Sequence, residues 1–117
     1  MLTLLINIYL LELGLKMNYK ANRSKATDIS PSVKKSVWER DGGKCIICKD
    51  IHAFPEAHYI PRSSGGLGIE ENIVSLCRRC HYEYDQTCER GMYRKRIKAY
   101  LQRKYPNWDE TKLYYKK

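Results

Sequence analysis

Three stretches between residues 45 and 81 decide the reading of this chain: Cys45-Ile46-Ile47-Cys48, then Ala57-His58-Tyr59-Ile60-Pro61-Arg62-Ser63-Ser64-Gly65-Gly66, then Glu71-Asn72-Ile73-Val74-Ser75-Leu76-Cys77-Arg78-Arg79-Cys80-His81. A Cys-x-x-Cys pair puts two thiolates in one turn, and two such turns complete a tetrahedron around a structural Zn²⁺. The other reading, two unrelated redox dithiols, is the poorer one because neither pair sits in a thioredoxin-like strand–helix pattern. The insert from Cys48 to Cys77 is longer than a minimal zinc ribbon needs. It also leaves His58 and His81 outside the thiol set, free for other chemistry.

Working outward, His52 to Ile60 reads as extended, with Phe54, Tyr59 and Ile60 as strand-like residues. Pro61 to Gly68 is a loop, a short second strand surrounds Ile73-Val74, and the pattern from Arg78 to about Gln86 suits a helix. Upstream, Ser30-Pro31 is a helix start, with Ser as N-cap and Pro at the first helical position. That helix carries Val33 and Val37 on one face and stops at Asp41-Gly42-Gly43, where glycine accepts the left-handed cap. Downstream, Tyr93, Ile97, Tyr100 or Leu101, and Tyr105 recur at helical spacing and predict a helix from Met92 to about Lys104. After Pro106, Asn107 and Glu110 are spaced as a capping box that restarts a short helix.

At 117 residues the chain is one small domain with short extensions, and a core this thin benefits from a staple. Lys and Arg number 22 against 13 acids, a net charge of +9, which directs the search toward a polyanion such as nucleic acid. Ten tyrosines against one Phe suit wet surfaces, where an apolar body carries a polar tip. Five cysteines, four of them in clips, argue against a secreted disulfide scaffold and for a reduced, cytoplasmic setting. Cys88 is left with no role. Residues 1–16 are largely apolar, lack the features of a signal peptide, and are too short and interrupted to span a bilayer. They read as an upstream extension ahead of a start at Met17, or as a short amphipathic helix. Residues 17–30 read as a basic linker or flexible arm.

Taken together, His58, Asn72, His81, both Cys clips and the Gly-Gly loop resemble the HNH endonuclease family, and its small phage-type members in particular. The likeness covers roughly residues 31–90, with 91–117 similar to the basic helical tails of such proteins. It implies an α+β fold with a ββα-metal core: a hairpin carrying His58 and Asn72, a helix carrying His81, a four-cysteine structural zinc site and flanking helices. The strand–loop–strand–helix order read from the residues agrees.

The chemistry follows from residue types. An imidazole accepts a proton at neutral pH, and the resemblance gives His58 the role of general base. Asn72 matches the family's Asn, an orienter of the base or a brace for the loop, though a turn-capping Asn is the plainer reading. His81 and Asp85 are four apart on a helix, so both project from one face and can hold a divalent ion, Mg²⁺ or another. The resemblance assigns them that catalytic role; the bland readings are a spare zinc ligand and a solvated helix charge. Many family members carry Asp or His just before the base, where this chain has Ala57. His58 itself, Glu56 or water would then fill the ligand position.

Arg62 beside the base can clamp a phosphate or form a surface ion pair. The basic helix, with Arg94, Arg96 and Lys98, suits phosphate-backbone contact or simply a solvated face. The implied activity is metal-dependent hydrolysis of DNA, in phage DNA processing or packaging inside a bacterial cytoplasm, with packaging proteins as further partners and no membrane role. The competing readings are a catalytically silent zinc-containing nucleic-acid-binding module and a zinc adaptor that contacts protein through its tyrosines.

Overall fold

A computed structural model describes residues 22–116. The apolar stretch 1–16 and the start at Met17 lie outside those residues. After a short helical segment over residues 22–27 come α1 (Pro31–Arg40), β1 (Ala53–His58), β2 (Ile73–Cys77), α2 (Arg78–Gln86) and α3 (Arg90–Lys104). Short 3-10 turns stand at Arg62–Ser64, Glu70–Asn72 and Glu110–Lys112.

α1 starts as its sequence dictates: the Ser30 hydroxyl accepts from the Val33 N–H at 3.2 Å, and Pro31 is the first residue. β1 and β2 form a two-stranded antiparallel sheet pairing Ala53 with Cys77, Phe54 with Leu76, Ala57 with Val74 and His58 with Ile73. The register shifts by one residue between Phe54 and Ala57. Pro55 lies within that bulge, where its missing N–H breaks no ladder bond. α3 begins at Arg90, two residues before the expected Met92, and buries Tyr93, Ile97 and Leu101 as one stripe. The restart after Pro106 is capped differently from expectation: the Asp109 carboxylate, not Asn107, accepts the Thr111 N–H, at 3.0 Å.

Both faces of β2 are covered, and all five of its residues are buried. The core gathers Val74, Leu76, Ile97, Leu101 and Leu113 with Tyr59, Tyr84 and Tyr93. Tyr59, Tyr84 and Tyr93 are thus core material, while Tyr82 and Tyr114 are exposed as the wet-surface reading expects. The reason is internal pairing of each hydroxyl: Tyr84 donates to the Tyr59 carbonyl at 2.6 Å, Tyr59 to Glu110 and Tyr93 to Glu83. One further polar knot ties α1 to the sheet and α3. The Arg40 guanidinium donates to the Asp41 carboxylate and to the carbonyls of Glu70 and Ile73, both at 2.7 Å. Asp41 in turn accepts the Ser75 N–H at 2.8 Å and the Tyr100 hydroxyl.

Candidate functional site

Cys45 and Cys48 sit in the turn after α1. Cys77 ends β2 and caps α2, accepting the Cys80 N–H at 3.4 Å. The four Sγ atoms lie within 4.8 Å of one another, and Cys48 and Cys77 are 3.6 Å apart. Zn–S bonds of about 2.3 Å in a tetrahedron demand S···S distances of about 3.8 Å, so the set fits a metal ion such as zinc. Burial pushes the Cys77 and Cys80 thiols up, so these two ionise readily only against a cation. Among the described residues this is the sole cluster of three or more metal-ligating side chains at such range.

A separate cleft of about 800 Å³ opens between the end of β1, the loop after it and α2. His58, His81, Asp85 and Arg62 all line it. His58 Nε2 lies 2.8 Å from the Thr27 carbonyl. A carbonyl only accepts, so Nε2 carries the proton and Nδ1 of the neutral ring is left with its lone pair. Burial first, with the Arg62 and His81 charges adding to it, pulls the His58 pKa below the ordinary imidazole value against the Thr27 bond. His81 Nε2 and Asp85 Oδ2 are 3.1 Å apart across one helical turn.

Strand alternation explains the odd Ala57. That side chain is fully buried opposite Val74, while Glu56 and His58, on either side of it, both line the cleft. Glu56 pairs with Lys34 at 3.6 Å.

Asn72 is completely buried and does not line the cleft. Its Oδ1 accepts the Ile60 N–H at 2.8 Å, and its Nδ2 donates to the carbonyls of Leu67 at 2.8 Å and Ile60 at 3.2 Å. These bonds pin the loop after His58 back onto β2.

Of the basic candidates, Arg62 is in the cleft, ion-paired with Asp28. Arg94 is turned inward, stacked on the Tyr59 ring at 4.8 Å and paired with Glu110 at 3.5 Å. Arg96 and Lys98 are exposed on α3, away from the cleft lining. The cleft also holds Lys34, Arg90 and Asp28, none chosen from the residues as a site member, and Glu56, one of the candidates for the ligand position beside Ala57. Period-two alternation with His58 points to Glu56; Thr27 and Asp28 lie too far along the chain for any spacing rule to reach.

A family model described as HNH endonuclease matches residues 45–96. Anaredoxin of Nostoc sp. (strain PCC 7120) is 31% identical over 52 residues, which span 44% of this chain and 68% of that protein. No solved structure matches. Among the described residues no helix is long and apolar enough to cross a membrane.

Proposed function

The chain belongs to the HNH endonuclease family, and from that premise we propose that it is a metal-dependent endonuclease that hydrolyses DNA phosphodiester bonds. One observation carries the reading: a half-buried imidazole, bonded through Nε2 to the Thr27 carbonyl, lines a cleft that also holds the His81–Asp85 pair and Arg62.

In this mechanism His58 Nδ1 takes the proton of the attacking water as its oxygen bonds to phosphorus. The Thr27 carbonyl holds the ring in the tautomer that can do so and stabilises the imidazolium that results. His81 and Asp85 would hold a divalent cation such as Mg²⁺, which would supply positive charge against the charge that develops on the phosphate and on the leaving 3′ oxygen. An imidazole and a carboxylate suit such an ion, and water, His58 or Glu56 released from Lys34 would complete the set that position 57 does not serve. Arg62 orients the substrate phosphate, and Asn72 acts by position, bracing the loop that follows the base. Arg96 and Lys98 contact backbone phosphates farther out; Arg94 contributes through packing. The four-thiol cluster of Cys45, Cys48, Cys77 and Cys80 fastens both ends of the hairpin and the start of the helix that carries His81. Residues 31–90 form the nuclease unit, and the basic 91–117 segment covers its core. The setting in phage DNA processing or packaging, in a bacterial cytoplasm, rests on the resemblance to small phage-type members alone.

Incubation of supercoiled plasmid with Mg²⁺ or Mn²⁺ tests the activity. Nicking that is stopped by EDTA and lost in both His58→Ala and His81→Ala is the expected result. Two observations favour a second reading, a silent nucleic-acid-binding module: Ala57 offers no ligand, and Glu56 is engaged with Lys34. Protein that shifts DNA but never cuts it, whatever the divalent metal, establishes that reading instead.

A further inference from the structure

Residues 22–29 form a strap across the loop that follows β1, far from the cleft in sequence yet forming one of its walls. Its main chain is seated firmly: the Gly68 N–H donates to the Ala26 carbonyl at 2.9 Å, Thr27 is buried, and Arg23 donates to the Ser63 carbonyl at 3.1 Å. Gly68 permits this closeness, since a Cβ there would stand 2.0 Å from the Asp28 carbonyl oxygen. The Asp28 side chain is placed differently. It is exposed, makes no contact the strap depends on, and ends on the exposed guanidinium of Arg62 inside the cleft.

We propose that Asp28 occupies, in the substrate-free protein, the position of a nucleic-acid phosphate on Arg62, and so sets the affinity of the cleft for its substrate. This rests on the reading of the cleft as a nucleic-acid site. A carboxylate and a phosphate present similar oxygens to a guanidinium, so both cannot be held at once on the same edge. The pair is solvent-exposed on both sides, which makes it weak enough for a phosphate to displace. Because the strap is anchored by Thr27, Ala26 and Arg23, the carboxylate can swing away without moving the carbonyl that orients His58. The neighbouring cation repeats the arrangement, Lys34 being neutralised by Glu56 at 3.6 Å. The resting cleft therefore masks positive charge with its own acids.

The test is fluorescence anisotropy with a labelled DNA duplex on zinc-loaded protein in Ca²⁺ in place of Mg²⁺ or Mn²⁺ and without chelator, at times before any cutting is seen on a gel, on wild type, Asp28→Asn, Arg62→Ala and the double variant. Asp28→Asn should bind about two- to fivefold more tightly, the range set by an exposed ion pair. Arg62→Ala should bind more weakly, and adding Asp28→Asn to it should change nothing. A gain is the informative sign, since damage to the fold weakens binding. Equal tightening with and without Arg62 would reduce Asp28 to one more surface charge and overturn the proposal, as would unchanged or weaker binding by Asp28→Asn. Absence of binding by every variant would remove the nucleic-acid reading of the cleft, and this inference with it.

Discussion

Replacing Asn72 with Ala separates a bracing role from a chemical one. The side chain is fully buried, and its loss strands the Ile60 N–H and removes a donor from the Ile60 and Leu67 carbonyls. Each buried polar group left without a partner costs about 1–3 kcal/mol. Three together, eased by some relaxation of the loop, amount to about 4 kcal/mol. For a domain of this size that lowers Tm by roughly 20 °C. Asn72→Asp sharpens the test, because it keeps the acceptor for Ile60 but aims a carboxylate at two carbonyl oxygens. Burial and those carbonyls raise its pKa, so the folded state binds a proton more readily than the unfolded one. Stability should then fall as pH rises above the unfolded carboxylate value of about 4. Urea titrations followed by circular dichroism, on zinc-loaded protein at several pH values, measure both effects. A loss under about 1 kcal/mol in Asn72→Ala, with plasmid nicking nonetheless abolished, would refute the bracing assignment and make the amide a participant in the chemistry.

Other perturbations reach other parts of the molecule. Metal analysis should find about one zinc per chain, and Cys45→Ser or a strong chelator should remove it and unfold the domain, because structural zinc contributes about 10 kcal/mol or more; a metal-free chain that keeps its native spectrum would contradict this. The lowered His58 pKa means that the folded state holds this proton less readily than the unfolded state. Its stabilising contribution is therefore complete above the unfolded value of about 6.5 and is lost as pH falls below it, a dependence that urea midpoints should show weakened in His58→Gln. The same shift places the acid limb of the nicking rate below about pH 6.5, and a limb above about pH 7 would contradict it. Arg40→Met strips the buried Asp41 of its cation and should cost about 3 kcal/mol by urea denaturation.

Much of this architecture was legible from spacing. The hairpin, the helix behind it and the two thiol clips are local patterns, and period-two alternation about His58 was already implicit in Phe54-Pro55-Glu56-Ala57-His58. Contacts that join distant residues were not legible. Nothing in the neighbourhood of Arg40 announces that it reaches Glu70, Ile73 and Tyr105, because the partners are carbonyls and a hydroxyl brought close only by folding. Arg94 looked like its exposed neighbours on a basic helix, yet the stacked ring of Tyr59 and the carboxylate of Glu110 draw it inward. Tyrosine composition misled at Tyr59 and Tyr84 for a related reason: a hydroxyl satisfied inside the molecule makes the ring as good a core residue as phenylalanine.

The carbonyl that fixes the tautomer of His58 comes from Thr27, well ahead of the matched segment 45–96. A fragment cut to that segment would retain the thiols, the hairpin and the helix, and would pass any inspection of its motifs. It would lack the oxygen that decides which ring nitrogen carries the proton, and with it Arg40 and the whole of α1. The span by which such a unit is recognised and the span that orients its imidazole are different lengths of chain, and grafting only the first into another protein would transplant His58 without the carbonyl that sets its tautomer.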